Sequence, residues 1–183
     1  MRRVYELIVE WMLKFSGYIT SFVIILIILF LFFEAGGLFK NKEIDKTYWA
    51  IVKNKPKQTE GTLKHYLVRN EKQNKSYAYD VEKPNSKQAI LHYKLIAHSD
   101  KYNLLEIDLE TGRHHQIRCQ LAKIGCPIKG DLKYGAERSN PDGGISLHAR
   151  KIFFIHPVSK EKIEVVAPTP DDNLWKAMEQ SVN

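Results

Sequence analysis

The densest run of side chains able to do chemistry is Thr111-Gly112-Arg113-His114-His115-Gln116-Ile117-Arg118. It stands where a strand-like segment, Leu104–Leu109, gives way to a helical one. Free backbone N–H groups and the helix dipole at such a junction favour an anion. Arg113 and Arg118 add fixed positive charge in a planar fork that matches phosphate or carboxylate. At about 100° per residue, Arg118 falls at the edge of the apolar stripe formed by Ile117, Leu121 and Ile124. It is therefore expected half-buried and in need of an anionic partner. The plainer alternative, an exposed helix with a basic face, stays open at this point. His114 and His115 would point about 100° apart on a helix, and no second ligand pair has metal spacing, so no metal is expected. No nucleophile elbow, Walker loop or dinucleotide glycine pattern occurs. Tyr48 and Trp49 read first as packing residues rather than as base-stacking platforms.

Charge points the same way as the arginines. The 183 residues hold 28 Lys and Arg against 21 Asp and Glu, a net +7. The first 38 residues carry Arg2, Arg3 and Lys14 against Glu6, Glu10 and Glu34, so the whole excess belongs to residues 39–183. Such a balance attracts nucleic acid. Cys119 and Cys126 are too few for a disulfide scaffold and fit no zinc spacing. They read as reduced thiols in a cytosolic protein.

The elements that must position this chemistry are mostly strands. Thr47–Val52 is aromatic and β-branched, a strand by propensity. Residues 53–62 read as a loop and 69–88 as a polar, solvated excursion. Ala89–Ala97 and Leu104–Leu109 flank the turn Ser99-Asp100-Lys101 and predict a hairpin. A helix is expected from about Arg113 to Ile124, closed by Gly125 with Pro127 beyond. Residues 128–144 read as a loop rich in glycine and proline. Ser146–Ile155 and Lys162–Ala167 predict a second hairpin, and Asp171-Asp172 can cap a last short helix through Trp175 and Met178. Strands without alternating βαβ units predict an α+β fold.

Residues 1–38 pose a separate problem. Phe22–Phe33 is twelve apolar residues without a break, short of the ~17–20 that a spanning helix needs. No signal-peptide cleavage pattern lies beyond it. Three readings stay open: a short membrane anchor, a buried core segment, and sequence out of frame with residues 39–183.

The soluble part resembles the RluA-type pseudouridine synthases. The resemblance rests on Lys46-Thr47-Tyr48-Trp49-Ala50, on TGRHHQIR at 111–118, on Gly130-Asp131 with Tyr134-Gly135, and on Leu147-His148-Ala149 with Phe154, His156 and Pro157. It runs from about Leu38 to Met178. It implies a mixed or antiparallel sheet of the pseudouridine synthase fold in residues 39–183, incomplete on its N-terminal side. It also implies structured ribosomal or transfer RNA as substrate, no cofactor, a monomer and a cytoplasmic location. The uridine N1–C1′ bond would be broken, the base turned and rejoined through C5. Tyr48 would lie against the uracil ring. Arg118 would pair with an essential aspartate, and Lys46, Arg113, His115, Gln116 and His148 would face the RNA. A carboxylate suits attack on a sugar carbon with oxocarbenium character.

One element of the family pattern is missing. The aspartate belongs to an HRLD-type motif upstream of the Tyr48 strand, and no such motif precedes Lys46. Asp45 is the only aspartate before that strand, and Asp131 matches a different family element. The expectation is therefore a polypeptide without its nucleophile, with Arg118 deprived of its acid, and inactive by itself. An upstream frame disruption is preferred over a truncated copy fused to a membrane segment, because a half-sheet exposes edges. The alternative function is an RNA-binding module without chemistry, with membrane attachment through Phe22–Phe33.

Overall fold

The computed structural model describes residues 22–30, 44–156 and 158–182. Residues 22–30 are helical (α1) and belong to a unit separate from the body that begins at Ile44. The nine apolar side chains of α1 are all exposed. Among the described residues no helix is long and apolar enough to cross a membrane. Residues 18–21 and 31–33 of the apolar run, the segment 34–43, and Pro157 lie outside the described residues.

The body is a seven-stranded sheet. In chain order its strands are β1 (Ile44–Val52), β2 (Glu60–Asn70), β3 (Lys75–Tyr79), β4 (Lys87–His98), β5 (Asn103–Leu109), β6 (Leu147–Ile155) and β7 (Lys162–Val166). Their spatial order is β3-β2-β4-β5-β1-β6-β7, and each named pairing is antiparallel. Two helices cover it: α2 (Gln116–Lys123) on one face and α3 (Asn173–Gln180) on the other. With its few helices set apart from the strands, the body is α+β, and the sheet is antiparallel rather than mixed.

Alternation along β1 divides the core. Ala50 and Val52 join Leu91, Tyr93, Leu105 and Ile107 beneath Ile117 and Leu121 of α2. Trp49 and Ile51 point the other way, to Leu104, Ala97 and the Trp175 and Met178 of α3. Residues Trp49–Val52 are all buried, as befits an inner strand covered on both faces. Asp172 caps α3 by accepting hydrogen bonds from the N–H groups of Leu174 (2.9 Å) and Trp175 (3.2 Å). Burial of Trp175 and Met178 contributes about 1.5–3 kcal/mol apiece, which holds so short a helix in place.

Both predicted hairpins form, β4–β5 and β6–β7. Two readings need correction. The helix begins at Gln116, three residues later than expected, because His115 sits in the left-handed region at φ 52 and acts as its N-cap. Residues 60–62 of the loop expected at 53–62 are strand, and the excursion expected at 69–88 holds the end of β2, all of β3 and the start of β4. β2 and β3 pair through the Asn70–Lys75 turn, where Asn74 takes φ 45.

Candidate nucleic-acid interface

The turn before α2 is built around one buried amide. Gln116 Oε1 accepts from the Thr111 hydroxyl and from the Arg113 backbone N–H, both at 2.9 Å. Its Nε2 donates to the Ile90 carbonyl of β4 at 3.0 Å. Gln116 thus fastens the turn to the sheet, and its side chain is not at the surface. Arg113, by contrast, is exposed and commits only Nε, to the Gln88 carbonyl. Its two terminal nitrogens have no partner among the described residues.

The left-handed His115 stacks on His114 with ring centroids 3.9 Å apart. His114 reaches Ser76 Oγ through Nδ1 and Asn74 Oδ1 through Nε2, tying the turn to β3. His115 Nε2 receives an N–H from Arg118 (3.0 Å), which leaves the ring proton on Nδ1, facing the Tyr134 hydroxyl at 3.1 Å. Burial, and after it the charge of Arg118, pushes the His115 pKa down to about 4, so the ring is neutral at pH 7. His114 is lowered as well, first by burial and then by Arg69, Arg118 and Lys133. The potential here is positive, and neither histidine adds charge to it.

Arg118 does not wait for a missing acid. Its Nε and Nη2 donate to the two oxygens of Asp131, each at 2.7 Å. Asp131 is 1% exposed and Arg118 18%. The hydrogen bond and charge of Asp131 raise the Arg118 pKa. Tyr134, three residues on in a 3-10 turn (Leu132–Tyr134), lies under the guanidinium at 4.9 Å. The expectation that this chain leaves Arg118 without a carboxylate is therefore corrected. The acid is supplied by the GDLKYG loop, whose i, i+3 spacing brings Asp131 and Tyr134 to the same side chain. Neither role was read from the sequence. With both oxygens on the guanidinium and only 1% of its side chain exposed, Asp131 is withheld from a substrate and does not replace the HRLD acid. Arg118 retains one N–H on each terminal nitrogen.

Tyr48 is half-buried on β1, on the α2 face beside the cluster that contains Ile117 and Leu121. Its hydroxyl has no hydrogen-bond partner among the described residues. Lys46, two residues along the strand, is exposed and likewise unpartnered there. Asp45 is exposed at the start of β1. His148 stands apart: it pairs in register with Trp49 on the α3 face, and its ring packs edge-on against Trp175. Its Nε2 is buried without a hydrogen-bond partner among the described residues. The structure gathers Arg113, His115, Gln116 and Arg118 in one turn, sets Tyr48 and Lys46 on a neighbouring strand, and places His148 on the opposite face. Among the described residues no cluster of ligands could hold a metal ion.

A family model described as RNA pseudouridylate synthase matches residues 33–123, which takes in both Tyr48 and the whole TGRHHQIR turn. The chain belongs to the RNA pseudouridine synthase family. A relative in Bacillus subtilis named Uncharacterized RNA pseudouridine synthase YlyB is 34% identical over 132 residues, 72% of this chain and 43% of the relative. A relative in Chloroflexus aurantiacus, likewise named Uncharacterized RNA pseudouridine synthase, is 37% identical over 132 residues, 72% of this chain and 40% of the relative. The chain thus spans less than half the length of these curated relatives. Two solved human structures share its fold. RNA Pseudouridylate Synthase Domain Containing 1 has a TM-score of 0.62 at 24% identity, covering 79% of this chain and 62% of that one. Domain Containing 4 has a TM-score of 0.60 at 22% identity, covering 80% and 65%.

Proposed function

We propose that this chain is the RNA-gripping portion of an RluA-type pseudouridine synthase domain, contained in residues 39–183, that acts on structured ribosomal or transfer RNA. The observation that carries the reading is the TGRHHQIR turn. Its polar groups are spent on holding the turn rigid, while Arg113 keeps its terminal nitrogens for phosphate and Lys46 stands exposed on β1. Tyr48 supplies an aromatic surface for an extruded uracil, which leaves its stack most cheaply from a loop or distorted stem. Arg118 acts as a positioning residue that fixes the GDLKYG loop to α2, with two N–H groups left to offer. The protein is monomeric and cytoplasmic in this reading, and the isomerisation invokes no cofactor.

The reaction moves the glycosidic bond from N1 to C5 and releases the C5 proton. RNA tritiated at uridine C5 reports it directly as tritium in water. These 183 residues carry no HRLD-type acid, and Asp131 is locked, so the chain alone is expected to bind a tRNA transcript and release no tritium above background. Sustained release would show that another carboxylate, with Asp45 the first to test, does the attacking. Restoring a continuous HRLD-bearing segment should bring release back.

A membrane-attached form rests on the nine exposed apolar side chains of α1. Flotation with liposomes tests it; recovery of all protein in the dense, lipid-free fraction excludes it.

A further inference from the structure

At the far end of β1 from Lys46 lies a cleft of about 670 Å³. Its walls are the residues just after β1, the β4–β5 turn and the loop beyond α2. We propose that this cleft is a second anion site, which takes a phosphodiester of the RNA backbone away from the uridine-handling turn. The proposal rests on the RNA reading above and extends it to a surface that reading does not use.

Charge inside the cleft is unevenly balanced. Lys53 lies 2.7 Å from Glu137, and the two neutralise one another. Asp100 is exposed at the turn. Against it stand Lys101 and Arg138, both exposed and neither in a hydrogen bond or close ion pair among the described residues, although the charge of Arg138 also acts on Glu137. Lys129 is the telling member. It is half-buried, yet its ammonium donates to a neutral acceptor, Asn140 Oδ1 at 2.6 Å, and lies 5.9 Å from the centre of the Tyr102 ring. No carboxylate pairs with it among the described residues. A partly desolvated cation held in place by an amide and a ring is preorganised for an incoming anion. The backbone N–H groups of Glu137, Arg138 and Ser139 also have no partner among the described residues.

The volume suits one nucleotide unit. Lys46 and Lys53 are seven residues apart on an extended strand, ~23 Å at about 3.3 Å per residue. One nucleotide cannot reach both ends, whereas a folded RNA stem can. The cleft would therefore contribute affinity and register rather than chemistry.

The test uses the full chain, an unmodified tRNA transcript as probe and filter binding across a salt series. Lys101→Glu/Arg138→Glu should weaken binding at least tenfold at 0.1 M salt and lower the salt slope by about 1–2, the value for two lost phosphate contacts. Lys129→Met should weaken it several-fold. The control Lys160→Glu/Lys162→Glu, on the β6–β7 turn and the first residue of β7, should change affinity less than twofold. Wild-type binding with no loss in the cleft variants overturns the second site and leaves the RNA reading standing. Absence of salt-dependent binding by the wild type overturns both. Stabilisation by inorganic phosphate or uridine monophosphate, abolished in the cleft variants while tRNA affinity is unchanged, would assign the cleft to a free phosphate compound and refute RNA as its occupant.

Discussion

Removing Arg118 should cost the protein more than neutralising its partner. In Arg118→Ala the Asp131 carboxylate, 1% exposed, loses both of its side-chain donors. Stripping one member from a buried ion pair costs about 3–5 kcal/mol, because the remaining charge is left in a poor solvent. In Asp131→Asn the stranded group is the guanidinium, which is 18% exposed, rests on Tyr134 and keeps its bond to His115. Loss of a charge-assisted hydrogen bond there is worth about 2 kcal/mol. The asymmetry, ~1–3 kcal/mol in favour of Asp131→Asn, stems from which charge is the deeper. Urea denaturation monitored by far-ultraviolet circular dichroism measures it. With a slope of about 2 kcal/mol per molar, Arg118→Ala should move the midpoint down by ~1.5–2.5 M and Asp131→Asn by ~1 M. Arg118→Met combined with Asp131→Leu should lose at least ~1.5 kcal/mol less than the two single changes summed, as an apolar pair leaves no stranded charge. A cost below about 1 kcal/mol for Arg118→Ala would refute the structural role assigned to the pair.

Acid should loosen the protein before its carboxylates titrate. His115 is held near pKa 4, below its value of 6.5 in the unfolded chain, so the unfolded state takes up a proton first and stability falls as pH drops from 6.5 towards 4. The loss is at most about 1.4 kcal/mol per pH unit from this residue, and His115→Asn, which tolerates the left-handed backbone, should flatten the slope. Burial pushes the Cys119 thiol up to about 12 and raises that of Cys126. Both should resist alkylation at pH 8 and react on adding urea; rapid labelling of the folded protein would contradict this. Gly130 has φ +87, and a Cβ there would stand 2.6 Å from the Gly144 carbonyl oxygen. Gly130→Ala should therefore cost about 2 kcal/mol or more, and a melting temperature equal to wild type would show that the loop yields freely.

How much was legible in the sequence varies along the chain. Both hairpins and the cap of α3 were readable because their signals are local: a turn between apolar runs, an aspartate before a helix. β2 and β3 were not, because their inward positions include His65 and Ser76. Each is buried and satisfied only by distant partners, His65 by Gln120 and Ser76 by His114 and Tyr134. A polar residue facing a core mimics a loop until its partner is known. The site divides in the same way. TGRHHQIR marks itself, and helical geometry alone placed Arg118 at a buried edge. That its acid is Asp131, thirteen residues on, depends on how the GDLKYG loop folds back along α2. That return is fixed at the end of β1, where Lys129 N–H donates to the Ile51 carbonyl and Ser146 N–H to the Lys129 carbonyl.

The sheet stops at β7, whose outer backbone groups meet no strand among the described residues. Val165 and Val166 on it are about half exposed, and Lys162 and Glu164 are its only charges. Such a margin, short and carrying only two charges, still leaves a row of backbone groups that a second extended strand can pair with. Concentrated preparations of this protein would then be limited by self-association long before they are limited by solubility of the folded form.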